Sequence, residues 1–527
     1  MSVPEPSTSD IAAPVAPGTA PVIAWRAGPA LPVTRATTVP SLMAECLHRF
    51  PTATVINDGG RSATWRELDE WSARLASAWA KDLPRGGRCA ILVGNGLPHL
   101  LAELACWRLG AIAAPIFHGF GPQRIAALLA RLEPQVTLVD DPALAHSAAG
   151  GVRQETSSEL WHHATTHAVD HRERAVTGSD ACLIQFTSGS TGMPRGVVLT
   201  HDNLASQQAA FALQWPEVGP GDRLAAYLPW HHSFGGLAER LWSLCRGAEL
   251  TVVPGGGRDR QHLLATVRAV KPTVFLSVPK IHAVMVEERL FHRDTVRWVF
   301  TAGAPLSDDL RTWYAAAGIP VCEGWGLTET SPSCTLTRPG RATSGVVGHP
   351  IAGVSVGVRR SDGHILVRGP NVMAGYFRQP TTTLCDGVLD TGDLGTWSED
   401  GLCLRGRSDH QLKLANGEKL GAAEIEAALL AHPAILHAVV GAEPELLVIV
   451  EVRDGTCRDE VLAVVDAVNA SQAVPYQRIR GIYAIAQRMC VEDGHLTASL
   501  KVSRGQVLES FRRWRTEGGS QFVCYRG

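Results

Sequence analysis

The chain has 527 residues, of which 45% are hydrophobic and 19% are charged, and its formal net charge is −2. This length exceeds one ordinary hydrophobic core and predicts two or more domains. The near-neutral charge provides no global basic field that would favour nucleic acid or an anionic membrane, so a protein that acts on small molecules is expected.

The cysteines and the N-terminus indicate the compartment. The 12 cysteines include no CxxC pair and no Cys/His metal spacing, which favours a reducing, cytoplasmic location. Residues 1–40 are rich in Pro, Ala and Ser and have no early Lys or Arg, so we expect a flexible leader rather than a signal peptide. No apolar run is long enough to span a bilayer, and the best candidate, 104–117, is interrupted by Arg108 and Pro115.

Short apolar segments alternate with segments of helical periodicity from about residue 64 to residue 317. This alternation predicts an α/β fold with largely parallel sheets. The predicted strands are 88–93, 182–186, 224–228, 249–253, 273–277 and 297–301, and the predicted helices are 99–109, 202–214, 261–270, 280–290 and 307–317.

A polar, histidine-rich stretch over 161–174 precedes the predicted strand at 182. His163, His167 and His171 recur every four residues, so a helix would align them as metal ligands. The flanks are polar and carry no other mark of a metal site, which favours an exposed connector.

Beyond about residue 355, shorter strands with Gly-rich turns are expected, and a compact unit begins after Gly406-Arg407. Its predicted elements are a helix over 422–431, strands over 437–441 and 446–452, and a helix over 459–469. We therefore predict a large, multi-subdomain N-terminal α/β domain over 41–408 with mainly parallel sheets, and a small α+β C-terminal domain over 409–527.

The most informative segment follows the apolar strand that ends at Phe186. It reads Thr187-Ser188-Gly189-Ser190-Thr191-Gly192-Met193-Pro194-Arg195. Glycines let backbone N–H groups surround an anion, hydroxyl groups add donors, and Arg195 can supply a cation. The pattern differs from Walker A, which requires GxxxxGK followed by Ser or Thr. The segment predicts a phosphate-binding loop.

This string resembles the signature of the AMP-binding, adenylate-forming superfamily, which includes acyl-CoA synthetases, peptide-synthetase adenylation domains and beetle luciferases. The usual Pro-Lys-Gly is Pro194-Arg195-Gly196 here, which keeps the charge but changes its geometry. Further matches follow in the family's order over roughly 40–510. Trp230, Lys413-Leu414-Ala415-Asn416-Gly417-Glu418 and Leu500-Lys501-Val502 resemble long-chain acyl-CoA synthetases rather than peptide-synthetase domains.

The resemblance implies a role for each matched position. His232 would line the acyl pocket, Thr328 would lie beside the α-phosphate, and Glu329 would bind Mg²⁺. The C-terminal domain would be mobile, with Asp409 at the hinge and Lys501 as the catalytic lysine. The remaining nucleotide-binding positions are the adenine turn Gly303-Ala304-Pro305, the motif Gly324-Trp325-Gly326, in which Trp325 replaces a Tyr that stacks on the purine, and the ribose-binding Asp393 and Arg407.

The activity that the resemblance implies is that of an acid–thiol ligase. Such an enzyme uses ATP and Mg²⁺ to adenylate a carboxylic acid and then transfers the acyl group to CoA. The wall after His232, Ser233 to Ala238, is small or apolar, which favours an uncharged aliphatic or aromatic acid. A monomer or a homodimer is expected.

Three alternatives to this activity stay open. In the first, the acyl acceptor is the phosphopantetheine of an acyl carrier protein instead of CoA. In the second, the chain is an oxidative enzyme of the luciferase kind, which no residue favours. In the third, it is a nucleotide-binding regulator that has lost catalysis. Only Arg195 and Leu500 support the regulator, whereas Glu329, Asp393 and Lys501 argue against it.

Overall fold

The computed structural model describes residues 22–31, 38–141, 144, 152–170, 173–187, 194–408, 411–413, 419–443, 445–471, 478–491, 493–497 and 502–526. Across these ranges, helices and strands alternate as the sequence predicts. No helix within them has the length and apolar character needed to cross a membrane.

Up to residue 170, the described residues form seven strands and five helices. They are β1 Ile23–Ala27, α1 Val39–Arg49, β2 Thr54–Asp58, β3 Arg61–Thr64, α2 Trp65–Trp79, β4 Arg88–Leu92, α3 Leu97–Arg108, β5 Ile112–Pro115, α4 Pro122–Leu132, β6 Val136–Val139, β7 Arg153–Glu155 and α5 Ser157–Thr166. The start of α2 is fixed by a capping box, because Thr64 Oγ1 accepts from the Glu67 backbone N–H and Glu67 accepts from the Thr64 N–H.

The second part carries most of the predicted motifs. Its elements are β8 Ala181–Thr187, β9 Arg195–Thr200, α6 His201–Gln214, β10 Arg223–Ala226, a π-helix Phe234–Leu241, α7 Trp242–Arg246, β11 Glu249–Val252, a 3-10 turn Gly256–Arg258, α8 Arg260–Val270, β12 Val274–Ser277, α9 Pro279–Glu287, β13 Trp298–Ala302, α10 Asp308–Ala316, β14 Val321–Trp325 and a second 3-10 turn, Thr328–Thr330. The predicted helix 280–290 ends early at Glu287, just before Arg289, whose φ of 51° is incompatible with a right-handed helix.

The third part, from residue 335 onward, is richer in strands, as the Gly-rich turns beyond about residue 355 predict. It contains β15 Thr335–Leu336, β16 His349–Pro350, β17 Ser355–Arg359, β18 His364–Arg368, β19 Gly375–Tyr376, β20 Leu384–Cys385, β21 Val388–Ser398, β22 Gly401–Arg407, β23 Gln411–Lys413, β24 Lys419–Gly421, α11 Ala422–Leu430, β25 Ile435–Ala442, β26 Leu446–Val452, α12 Arg458–Ser471, β27 Gly481–Ile485, α13 Arg504–Glu517 and β28 Phe522–Arg526.

Three mixed sheets form the frame around the predicted motifs. The seven-stranded sheet has the order β19-β9-β8-β5-β4-β6-β7, the five-stranded sheet β12-β13-β14-β15-β16, and a four-stranded sheet β10-β11-β2-β3. Their inner pairs, including β4–β5, β5–β8, β12–β13 and β13–β14, are parallel, whereas β8–β9 and β14–β15 are antiparallel. The α/β fold class is confirmed, with antiparallel strands added at the sheet edges.

The remaining sheets are mostly antiparallel, with one parallel pair, β26–β27. The six-stranded sheet runs β1-β17-β18-β21-β20, with β22 paired to β21. The last part of the chain forms the β23–β24 hairpin and the sheet β25-β26-β27-β28, which has its own hydrophobic cluster around α11 and α12. This arrangement agrees with a separate α+β unit, while its boundary at residue 409 stays a prediction. Residues 23–27 of the predicted leader form β1, paired to β17 along its whole length.

The histidine-rich stretch differs from the prediction. An exposed connector over 161–174 was wrong for its first part, because α5 extends to Thr166 and begins at a capping box between Thr156 and Glu159. His163 Nδ1 lies 2.9 Å from Glu155 Oε1, which explains the position of this ring. His171 lies outside the described residues, and the described residues contain no group of three or more His, Cys, Asp or Glu side chains that could hold a metal ion.

Candidate active site

The predicted phosphate loop joins two antiparallel strands. Thr187 at the end of β8 is in register with Arg195 at the start of β9, and Thr187 Oγ1 donates a hydrogen bond to the Arg195 carbonyl oxygen at 3.4 Å. The loop positions Ser188, Gly189, Ser190, Thr191 and Gly192 lie outside the described residues. The loop is therefore closed at its base by a strand pair rather than by the start of a helix.

Tyr376 connects this loop to the predicted metal ligand. Strand β19 pairs with β9, so Tyr376 faces Val197 in the register. The guanidinium carbon of Arg195 lies 5.3 Å from the Tyr376 ring centroid, and the Tyr376 hydroxyl donates to Glu329 Oε1 at 2.8 Å. Burial and the neighbouring Glu329 carboxylate raise the pKa of Tyr376 to about 12, so the phenol keeps its proton at neutral pH. The sequence did not single out Tyr376.

Glu329 fits a magnesium ligand. It lies half-buried on the 3-10 turn Thr328–Thr330, and it forms no ion pair with any residue that the structure describes. A carboxylate oxygen is the ligand type that Mg²⁺ prefers, usually with phosphate oxygens and waters completing its shell. The hydrogen bond from Tyr376 fixes the orientation of one oxygen, as donors that bind a metal-ligating carboxylate commonly do.

The same turn reaches the predicted acyl-pocket segment. Thr328 is buried, and its hydroxyl shares a hydrogen bond of 3.2 Å with the hydroxyl of Ser233. Ser233 follows His232, so the predicted α-phosphate residue and the predicted pocket residue lie side by side. His232 is half-buried, and its Nδ1 accepts from the Phe234 backbone N–H at 3.2 Å. In the neutral imidazole the proton is therefore on Nε2.

A side-chain amide before α3 holds the segment that leads to His232. Asn95 Nδ2 donates to the Leu228 carbonyl oxygen at 2.8 Å, and Asn95 Oδ1 accepts from the Trp230 N–H at 3.0 Å. Trp230 is completely buried, with Arg240 over its ring at 4.9 Å. These contacts fix the backbone through which His232 is presented, and Asn95 was not predicted from the sequence.

The predicted adenine turn lies at the carboxyl ends of two parallel strands. Ala302 at the end of β13 is in register with Gly324 of β14, so the turn Gly303-Ala304-Pro305 lies next to the Gly324-Trp325-Gly326 segment. The turn is exposed and therefore accessible to a ligand. Gly326 is required by packing, because a Cβ there would lie 2.0 Å from the Pro332 carbonyl oxygen.

Trp325 and Arg407 both bind the predicted ribose carboxylate. The Trp325 indole N–H donates to Asp393 Oδ2 at 2.8 Å, and Arg407 Nη1 donates to Asp393 Oδ1 at 3.2 Å. Asp393 and Arg407 face each other across β21 and β22. Gly392 has φ 72°, a region that favours glycine, and it allows the close approach of Arg407. Stacking of Trp325 on a purine stays a prediction.

Lys501 and Asp409 lie outside the described residues. The residues that flank Lys501 are described: Leu496 and Val502 form an antiparallel bridge. Arg504, at the start of α13, donates from Nη1 to the Val440 carbonyl oxygen at 2.6 Å, and its Nη2 lies 2.5 Å from Glu426 Oε2. The loop that carries Lys501 is therefore anchored at both ends.

The α/β fold and the grouping of the motif residues indicate a nucleotide-binding enzyme, and comparison with known proteins agrees. The family model described as AMP-binding enzyme matches residues 43–377. The chain belongs to the AMP-binding enzyme family. The prediction of an adenylate-forming enzyme is confirmed at this level.

Individual relatives support the same class. Human long-chain-fatty-acid–CoA ligase 1 is 26% identical over 539 residues, covering 80% of this chain and 77% of the relative. Feruloyl-CoA synthase from Amycolatopsis sp is 28% identical over 409 residues, covering 73% of this chain and 81% of the relative. The crystal structure of ATP-bound MatB from Rhodopseudomonas palustris is 25% identical and superposes with a TM-score of 0.78 over 89% of this chain and 98% of MatB.

Proposed function

We propose that this protein joins an uncharged aliphatic or aromatic carboxylic acid to the thiol of CoA through an acyl-adenylate intermediate. The observation that carries the proposal is a continuous set of contacts around one turn. Arg195 stacks on Tyr376, Tyr376 binds Glu329, and the adjacent Thr328 binds Ser233 beside His232. Groups for the phosphates, the metal ion and the acyl chain thus meet at one place.

In the first half-reaction the substrate carboxylate attacks the α-phosphorus of ATP, and pyrophosphate leaves. Arg195 contributes a fixed positive charge near the phosphates. Mg²⁺, when bound at Glu329, supplies the charge that offsets the triphosphate. Thr328 and His232 are proposed to lie near the oxygens of the reacting centre. Lys501 is proposed to bind the substrate carboxylate and the phosphoryl oxygens as negative charge develops.

The nucleoside would be held on the opposite side of the turn. Asp393 is proposed to accept hydrogen bonds from the ribose hydroxyls, and its orientation is fixed by Trp325 and Arg407. Adenine would lie against the exposed turn Gly303-Ala304-Pro305. Because these groups are fixed before the nucleotide binds, little reorganisation accompanies binding.

In the second half-reaction the thiolate attacks the acyl carbonyl carbon, and the carbonyl–AMP bond breaks to release AMP. This step needs no covalent intermediate on the protein. We propose that the C-terminal domain turns about Asp409, which removes Lys501 and admits the thiol.

The π-helix after His232 supports an uncharged acid. Its residues Phe234 to Leu241 are all buried. Arg240 is neutralised by a buried ion pair with Glu103, and burial raises the pKa of Glu239 well above its usual value, which favours the neutral form of this carboxyl. Arg240 of the π-helix is therefore paired, and the charge of Glu239 is disfavoured, which supports an acid without an ammonium group or a second carboxylate. Fatty acids and ferulic acid, the acids in the names of two relatives, are both of this type.

A screen of acids by pyrophosphate release tests the proposal. Fatty acids of increasing length, aromatic acids and amino acids are compared with ATP, Mg²⁺ and CoA, and Lys501→Ala is expected to slow adenylation by about 10²–10³-fold. Turnover of amino acids alone would contradict the proposed pocket. Acyl transfer to a carrier-protein phosphopantetheine but not to CoA would establish the alternative acceptor, and ATP binding without pyrophosphate exchange for any acid would establish a regulator.

A further inference from the structure

Phe117 follows strand β5 and is buried although it lies beyond the end of that strand. Strand β5 ends at Pro115, yet the Phe117 side chain two residues later is only 4% exposed. The hydrophobic cluster that contains it consists otherwise of residues from the last part of the chain, with Phe120 as a partly buried neighbour. The cluster includes Val439, Leu447, Ile449, Ile485, Met489, Val491, Leu496, Val507, Leu508, Phe511 and Phe522. The N-terminal part of the chain thus inserts one aromatic side chain into the core of the C-terminal unit.

This cluster also contains both ends of the loop that carries Lys501. Leu496 is a buried member, Val502 packs against it, and the two residues pair as an antiparallel bridge. The five residues between them include Lys501. A side chain that holds this cluster therefore also determines where the lysine loop begins and ends.

On its other side, Phe117 contacts the acyl-pocket segment. Its ring centroid lies 4.8 Å from that of His231, with the two rings tilted by 32°. Phe120 supports it from the edge, with the centroids 5.1 Å apart and the planes at 84°. His231 precedes His232, so Phe117 lies between the segment that presents His232 and the cluster that anchors the lysine loop.

We propose that Phe117 is a positioning residue that holds the C-terminal domain in the arrangement required for adenylation. The proposal rests on the proposed function, since it concerns one of its two half-reactions. A domain that turns to admit the thiol must withdraw its cluster from Phe117, so this contact favours the adenylation arrangement alone. A well-packed aromatic side chain at the centre of an interface usually contributes a large share of its stability.

The substitution Phe117→Ala in the full chain tests this role. We expect pyrophosphate release in a single turnover to fall about 10- to 100-fold, as for the loss of a central interface aromatic. Thioester formation from a supplied synthetic acyl-adenylate and CoA is expected to stay within about 2-fold of the wild-type rate. Phe117→Leu, which keeps part of the apolar volume, is expected to give an intermediate adenylation rate.

Phe291→Ala is the matched control. Phe291 is 3% exposed and packs on Phe275 at 5.0 Å within the N-terminal core, away from this cluster. Its loss is expected to lower the melting temperature without changing the ratio of the two half-reaction rates. Faster hydrogen exchange in the peptide spanning 496–507 is expected in Phe117→Ala and not in Phe291→Ala.

The outcomes separate the two proposals. Equal losses in both half-reactions, or an unchanged adenylation rate in Phe117→Ala, would overturn the positioning role while leaving the proposed function in place. A wild-type protein that releases no pyrophosphate with any acid would refute the proposed function itself, before the variants are compared. Loss of adenylation alone, together with faster exchange near Leu496, supports the positioning role.

Discussion

Tyr376→Phe isolates one hydrogen bond of the proposed metal site. The substitution keeps the ring on which Arg195 lies and removes only the hydroxyl that donates to Glu329 Oε1 at 2.8 Å. A hydrogen bond to a charged group contributes about 1.5–3 kcal/mol, and the loss of a donor that binds a metal-ligating side chain commonly lowers metal affinity by about 10–100-fold. Because Tyr376 is only partly buried, we expect the lower part of this range, about a 10-fold rise in the Mg²⁺ concentration that gives half-maximal pyrophosphate release.

Two measurements distinguish this effect from a general loss of activity. Mn²⁺ binding in the presence of ATP, followed by electron paramagnetic resonance, should weaken by a similar factor, while the rate at saturating Mg²⁺ should change less. In a double-mutant cycle with Glu329→Gln, the loss caused by Tyr376→Phe should largely disappear, since the two side chains act through one bond. An unchanged Mg²⁺ dependence in Tyr376→Phe, or full additivity in the cycle, would show that Tyr376 does not orient the ligand.

Three further predictions concern the nucleotide site and the core. Trp325→Phe removes the N–H that binds Asp393 Oδ2, so the KM for ATP should rise about 10-fold in steady-state assays; an unchanged KM would exclude this orienting role. Arg195→Lys keeps the charge but weakens the stacking on Tyr376, so kcat/KM should fall about 2- to 5-fold, and an equal or higher value would contradict it. Burial lowers the pKa of both His201 and His282 to about 4, so the folded protein takes up these protons later than the unfolded chain as pH falls. Stability should therefore be complete above pH 6.5 and decrease between pH 6.5 and 4, by up to about 1.4 kcal/mol per pH unit for each histidine; equal urea midpoints at pH 7 and pH 5 would refute this.

The strands that carry the motifs could be predicted from the sequence within one or two residues at each end. The segments 182–186 and 297–301 are buried apolar runs, and the structure has them as Ala181–Thr187 and Trp298–Ala302. The antiparallel return from the phosphate loop as β9 was not predicted, since a short apolar run does not reveal the direction of its partner. The start of α5 could have been found from Thr156 and Glu159, whose spacing is that of a capping box.

Tyr376 and Asn95 were missed for a different reason. Tyr376 binds a carboxylate 47 residues earlier in the chain, and it reaches that carboxylate through β19, a strand of two residues. Such a strand has no measurable periodicity, so its pairing depends on the tertiary structure. Asn95 binds backbone groups more than 130 residues away, and a single amide in a loop has no local signal.

The site contains two kinds of residue: those proposed to bind the reacting groups, and aromatic residues that act on them through contacts. Glu329, Asp393 and Lys501 belong to motifs and are proposed to bind the reacting groups, so their loss should impair the adenylation step directly. Tyr376 and Phe117 lie outside those motifs and act on them through contacts of 2.8 Å to Glu329 and 4.8 Å to His231. The Tyr376 contact orients Glu329 alone, so its loss should change the metal dependence rather than abolish the chemistry. The Phe117 contact is proposed to position the C-terminal domain alone, so its loss should change the ratio of the half-reaction rates. A variant that keeps its rate with supplied acyl-adenylate but loses pyrophosphate release therefore reports on domain arrangement, whereas one that recovers at high Mg²⁺ reports on the orientation of Glu329.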